Sequence, residues 1–196
     1  MGISNLGIAM KKCVFITGTN CVGKSALAWE IINRYGGVDR ILNDVTYCKE
    51  GGVCLAGRYG EARYGGVDRI LNEKGSSCTS RLAEVVEEGL KHSQVIVCEG
   101  SFMNSFGMNL INAMFKAESF LVVNLYIDPL TLYERISKRS PSKNGKRDFM
   151  KILAKQKCSM NAAQKWQSIG VKVLQINTAG ITLEKETDLV IEEIWK

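Results

Sequence analysis

Proline is nearly missing from this chain, with two in 196 residues, so no Pro-rich linker or spacer divides it. Histidine is scarcer still. His92 stands alone, so a Ser-His-Asp or Cys-His mechanism would depend on that one residue. It follows a predicted helix and reads as a surface or capping residue. The seven cysteines are an odd number and include no Cys-x-x-Cys pair, which argues against a disulfide framework or a zinc site. Cys13, Cys48, Cys54 and Cys98 lie in or near apolar runs, where cysteine behaves as a small hydrophobe. The expectation is a reducing compartment, the cytoplasm. No apolar run reaches the roughly 18 residues that a membrane span needs. Lys11 and Lys12 follow the apolar start instead of preceding it, the reverse of a secretory signal. Leu6 stands where a myristoylation motif requires Ser or Thr. Neither a guanine-reading Asn-Lys-x-Asp nor an Asp-x-x-Gly switch occurs, and the length leaves no room for a helicase or transporter apparatus.

What is present is ordinary globular composition, 45% hydrophobic and 23% charged, with a net charge of +6. The positive excess suits anionic partners such as nucleotides, phosphates or nucleic acid, and it also fits a merely solvated basic surface. The length predicts a single domain over 1–196. Apolar runs predict strands over 12–17, 94–98, 119–128 and 171–176, with a short hairpin from 45–48 and 53–55 around Gly51-Gly52. Helical spacing predicts helices over 24–34, 78–91, 105–117, 131–139, 149–168 and 184–195. Residues 57–66 read as a loop. Strands alternating with helices define an α/β fold with a mainly parallel sheet. One decapeptide, Arg-Tyr-Gly-Gly-Val-Asp-Arg-Ile-Leu-Asn, occurs at 34–43 and again at 63–72. It is too short and solitary for a solenoid and reads as a local duplication or an artefact. The second copy is expected to be the functional one, because it extends a basic, aromatic loop, whereas the first trails off the first helix.

Gly18-Thr19-Asn20-Cys21-Val22-Gly23-Lys24-Ser25 satisfies Gly-x-x-x-x-Gly-Lys-[Ser/Thr] in full, after a strand and before an amphipathic helix. Successive amides at a helix N-terminus, aided by the helix dipole, attract the dense charge of a triphosphate. Gly18 and Gly23 permit the backbone angles and the close approach. Lys24 supplies a point charge to the β- and γ-phosphates, and Ser25 a hydroxyl for magnesium. ATP and Mg2+ are therefore the expected cofactors. Glu99 ends the apolar run 95–98, at the strand end that faces the crevice of a parallel sheet, where it could orient magnesium or accept a hydroxyl proton. Asp128 also ends a strand, but before Pro129 it reads as a helix cap. Arg135 and Arg139 lie four apart on one helix face. With Lys138, Lys143, Lys146 and Arg147 they form a basic lid over about 131–148 that could neutralise transition-state charge; a solvated basic helix end is the alternative. Asn177 to Gly180 follows the last strand with a composition that makes any turn; a resemblance to small P-loop kinases would imply a loop against adenine there.

The phosphate loop, Glu99-Gly100 and the Arg135/Arg139 helix together resemble the nucleoside and nucleotide kinase group of P-loop proteins. That resemblance implies a three-layer α/β/α sandwich with a small basic lid, and an acceptor-binding segment between the first helix and Glu99, about 45–75. There, Gly57-Arg58-Tyr59 and Arg63-Tyr64-Gly65-Gly66-Val67-Asp68 resemble the phage kinases that phosphorylate 5-hydroxymethyluracil within DNA. On this reading Arg58, Arg63 and Arg69 contact backbone phosphates, Tyr59 and Tyr64 stack on an exposed base, and Asp68 meets a base edge. The protein would then work in the host cytoplasm. The alternative is a loop folded on itself, with tyrosines packed and arginines paired to Glu61 and Asp68. The chain lacks the Asp-Arg-Tyr wording of thymidylate kinases and the Asp-Gly-Phe-Pro of adenylate kinases. The runner-up acceptor is a free nucleoside, nucleotide or other small hydroxyl compound. A third reading is a nucleotide-dependent module that binds nucleic acid without catalysis.

Overall fold

A computed structural model describes residues 10–60, 66–73, 78–139 and 145–196. Seven strands form one sheet: β1 (Lys12–Gly18), β2 (Val38–Leu42), β3 (Val45–Cys48), β4 (Val53–Ala56), β5 (Val95–Glu99), β6 (Ser119–Tyr126) and β7 (Lys172–Asn177), in the order β2-β3-β4-β5-β1-β6-β7. From β4 to β7 every neighbouring pair is parallel. β2, β3 and β4 form an antiparallel meander at one edge. The helices are α1 (Lys24–Arg34), α2 (Val67–Glu73), α3 (Cys78–His92), α4 (Met108–Met114), α5 (Pro129–Arg139), α6 (Gly145–Ser168) and α7 (Leu183–Ile194), with a 3-10 turn at Ser101–Asn104.

The central strands are buried on both faces, which is why they read as continuous apolar runs without alternation. Odd and even positions serve different cores. Val14 and Ile16 of β1 pack with Leu27 and Ile31 of α1, Leu132 and Ile136 of α5 and Val190 of α7. Cys13 and Phe15 pack on the other face with Leu82 and Val86 of α3 and Leu110 of α4. Trp166 of α6 closes that second core, edge-on to Phe15 and Phe106. The result is a three-layer α/β/α sandwich with a mainly parallel sheet. Asp128 accepts from the Thr131 amide at 2.9 Å and caps α5, whose first residue is Pro129. Those amide contacts hold its carboxyl below the usual range.

Three elements differ from expectation. The helix expected over 105–117 is shorter, because the 3-10 turn and Gly107 precede it. The first copy of the decapeptide does not trail off α1. Its Val-Asp-Arg-Ile-Leu forms strand β2, whereas the same five letters in the second copy begin helix α2, not a loop. At 38–42, β3 offers an open edge, and Asn43-Asp44, both at positive φ, turn the chain back onto it. At 67–70 no such edge exists, and Val67 and Ile70, three apart, enter the second core. Residues 61–65 and 140–144, which carry Arg63, Tyr64 and Lys143, lie outside the described residues, as do the side chains of Lys146 and Arg147. No helix among the described residues is long and apolar enough to cross a membrane.

Candidate active site

β1 delivers the phosphate loop to the edge of a cleft of about 1310 Å³. Gly18 sits at φ +140°, and a Cβ there would lie 2.5 Å from the Leu125 carbonyl oxygen. Only glycine fits this place. Gly18→Ala is expected to cost about 2–3 kcal/mol of stability and to weaken nucleotide binding; thermal melts and calorimetry check this, and unchanged values for both would refute it. Gly23, at φ +107°, lets the chain turn into α1. Lys24 is 8% exposed, and its Nζ donates to the Gly18 and Thr19 carbonyls at 2.9 and 2.8 Å. Burial lowers its pKa, and the nearby Glu99 and Asp68 carboxylates pull it back up. Asn104 Oδ1 accepts from the Gly18 amide and the Thr17 hydroxyl, both at 2.8 Å. The Thr19 hydroxyl donates to the Ile152 carbonyl at 2.6 Å. The loop is thus clamped from the 3-10 turn and from α6.

Across the cleft floor, Glu99 ends β5 and is 4% exposed. Burial raises its pKa; the Tyr59 hydroxyl and the Lys24 ammonium oppose that rise. Ser25 Oγ lies 3.4 Å from both carboxylate oxygens. These oxygen donors fit magnesium, which takes one or two protein ligands and completes its shell with phosphate oxygens and water. Among the described residues no group of three His, Cys, Asp or Glu forms a metal cage of its own. Asp68 also faces the cleft, but its oxygens accept from the Ser101 and Phe102 amides at 2.6 and 2.9 Å, so it braces the 3-10 turn.

The opposite wall carries cations. Arg135 donates to Thr178 Oγ1 and carbonyl at 3.2 and 2.8 Å and reaches the Cys21 carbonyl at 3.4 Å, joining the phosphate loop to the turn after β7. Arg139 lines the same wall, its Nη1 3.9 Å from Cys21 Sγ. Lys151 and Lys155 of α6 complete it. Sequence reading missed these two lysines and Trp29, although Asp148, Lys151, Ile152 and Lys155 have the spacing of one helix face. Val22 is buried beneath the loop, and Asn20 meets the Ser101 hydroxyl at 3.4 Å. Lys24, Ser25, Asn20, Cys21, Gly23, Asp68, Glu99, Arg135 and Arg139 thus converge on one cleft. Arg58 does not line it. Its Nε donates to the buried Asp44 at 2.8 Å, and Arg81 binds the other Asp44 oxygen at 2.6 Å. Tyr59 is wholly buried, with no face open for stacking on a base.

Behind Arg135, Glu186 of α7 is 4% exposed, and its Oε1 has no hydrogen-bond partner among the described residues. Burial pushes its carboxyl up to about 7, against the pull of Arg135. The native carboxyl holds its proton more tightly than the unfolded chain does, so this group costs stability as pH rises from 4.5 towards about 7, and fully above that. Glu186→Gln is expected to stabilise the protein at pH 8 by about 2 kcal/mol and to change little at pH 4. Melts across that range check it; a pH-independent difference would refute it.

No protein-family model matches the chain, and no curated protein matches it in sequence. Its fold is similar to solved structures. The YorR protein of Bacillus subtilis, in complex with phosphorylated GDP, aligns at TM-score 0.57 and 15% identity over 93% of this chain and 95% of that one. A sugar kinase from Janibacter sp. aligns at 0.56 and 12% identity, over 94% of each chain. Shikimate kinase from Bacteroides thetaiotaomicron aligns at 0.52 and 16% identity, over 95% of this chain and 99% of that one. The α/β sandwich is the fold of P-loop kinases.

Proposed function

We propose that this protein is an ATP-dependent phosphotransferase that moves the γ-phosphate to an alcohol. The observation that carries this reading is the pairing across one cleft of a complete phosphate loop with the buried Glu99 carboxylate, 3.4 Å from Ser25. Phosphoryl transfer asks the protein mostly for alignment and charge neutralisation. The amides of 19–25 and Lys24 hold the β- and γ-phosphates; the Gly18 amide is committed to Asn104 and serves the loop's shape. Ser25, with Glu99 behind it, would hold Mg2+, which would supply positive charge to offset that of the phosphates. Glu99 aligns the acceptor hydroxyl or takes its proton. Arg135 and Arg139 meet the charge that spreads over the transferring group. Within a single domain, the described part of the expected 131–148 lid is the α5 end that carries Arg135 and Arg139.

The acceptor we favour is the hydroxymethyl group of 5-hydroxymethyluracil in DNA, with the base drawn out of the stack to reach the cleft. Its support is the resemblance of the 57–68 segment, together with an aromatic Trp29 and the cations Arg69, Lys151 and Lys155 along the cleft. A small hydroxyl compound or nucleotide is the second reading. It is favoured by the internal engagement of Arg58, Tyr59 and Asp68, which leaves fewer groups for a nucleic acid. Incubation with γ-labelled ATP separates the two. Label in hydroxymethyluracil-containing DNA supports the first, and label only in small molecules the second. Tight nucleotide binding with no transfer to any acceptor would leave a binding module and refute the enzyme.

A further inference from the structure

Glu99 is gripped, and the grip comes from residues far apart in sequence. The Tyr59 hydroxyl donates to Glu99 Oε1 at 2.9 Å. Tyr59 is fully buried, so its hydroxyl has no water to turn to, and burial keeps the phenol protonated as a donor. The backbone beneath it is tied down. The Tyr59 amide donates to Thr46 Oγ1 at 2.9 Å, and that hydroxyl donates to the Gly57 carbonyl at 2.7 Å. Trp29 packs edge-on against the Tyr59 ring, 5.6 Å between centroids. Gly66 abuts the same carboxylate oxygen; a Cβ there would stand 2.2 Å from Oε1. Ser25 Oγ lies 3.4 Å from Oε1 and from Oε2 alike.

We propose that Tyr59 is a positioning residue for the transfer reaction, its phenol fixing Oε1 so that the Glu99 carboxylate cannot rotate and is held with both oxygens beside Ser25. This rests on the kinase reading above. It gives Tyr59 a different task from stacking on a base; glycine at 66 leaves room both for the gripped carboxylate and for the Glu99 carbonyl oxygen, which a Cβ there would approach to 2.6 Å. Two of the three residues that set the carboxylate plane thus come from the segment between β4 and α2. A group that must meet a hydroxyl proton gains from being held in one orientation, because misplacement by about 1 Å costs on the order of 10²-fold in rate.

Tyr59→Phe tests this, since it keeps the buried ring and removes only the hydroxyl. The expected result is a kcat lower by about 10–100-fold with KM for ATP changed less than about twofold. In a Glu99→Gln background the same change is expected to have little further effect, because the two residues act as a unit. Equal losses in both backgrounds, or an unchanged kcat, would overturn the proposal. A second readout needs no turnover. In protein labelled with 13C at glutamate carboxyls, the resonance that vanishes in Glu99→Gln is expected to shift in Tyr59→Phe at fixed pH. An unmoved resonance overturns the contact. If the wild-type protein phosphorylates nothing while the resonance does move, the failure falls on the kinase reading and the Tyr59–Glu99 contact stands. Should Tyr59→Phe not fold, Thr46→Val loosens the Tyr59 backbone instead, by removing the hydroxyl that accepts from its amide, and is expected to lower kcat with KM for ATP unchanged; an unaltered kcat there counts against the proposal.

Discussion

Lys24→Ala is expected to abolish phosphate transfer, with turnover reduced by about 10³-fold or more. The ammonium sits 8% exposed between the phosphate loop and the Glu99 and Asp68 carboxylates. Its Nζ bonds the loop's own carbonyls at Gly18 and Thr19, and Arg135 reaches a third, that of Cys21, at 3.4 Å. A triphosphate lying in the loop presents the same Nζ with anionic oxygens in place of neutral ones, adding charge–charge attraction to hydrogen bonds the ammonium already makes. That difference grows as charge moves onto the transferring group, so the loss belongs in kcat as well as in affinity. Single-turnover assays with γ-labelled ATP, together with a thermal melt to confirm folding, measure it. Near-normal turnover would remove the phosphate-loop chemistry from the mechanism.

Glu99→Gln follows, with an expected loss on the order of 10²–10⁴-fold in turnover. The substitution is nearly isosteric, and a glutamine oxygen can still accept from Tyr59, so the fold is expected to survive. What disappears is the charge opposite Lys24 and the ability to take a proton or orient a hydrated metal ion. Burial already raises the carboxyl's pKa, opposed by Tyr59 and Lys24, so the ionised form depends on those neighbours. A loss below tenfold would demote Glu99 to a structural role. Comparing magnesium dependence in the two proteins separates its possible tasks: a raised magnesium requirement points to metal orientation, and an unchanged one to acceptor activation.

These two substitutions fall on residues with very different visibility in the sequence. Lys24 lies in an unbroken run, Gly18 to Ser25, whose chemistry is local: a turn, a helix start and a cation within one stretch of chain. Glu99 is visible only as the carboxylate that stops an apolar run. Its partners Tyr59, Gly66 and Ser25 are 40, 33 and 74 residues away, and the parallel register of β5 beside β1 brings it over the loop. In the sequence Tyr59 reads as an aromatic that stacks on an exposed base or, alternatively, as one packed within a loop folded on itself. It is buried because β3 and β4 carry it under α1, against Trp29. A basic helix face such as that of Lys151 and Lys155 is ordinarily solvated; α6 packs its Ile152 turn onto Thr19 and turns that face to the cleft.

The repeated decapeptide draws the line most sharply. Its letters carry weak preferences for either strand or helix, so local energetics of a few tenths of a kcal/mol per residue leave the choice open. An open sheet edge makes one copy β2; two apolar residues with a core to enter make the other α2. The amino-acid order by itself determined the phosphate loop, the parallel central strands and the helices whose apolar positions recur at 3.6, since each depends on residues near one another in the chain. The tertiary structure decided which carboxylate is gripped, which tyrosine grips it and which copy faces the cleft, because those outcomes depend on the neighbours that distant strands supply.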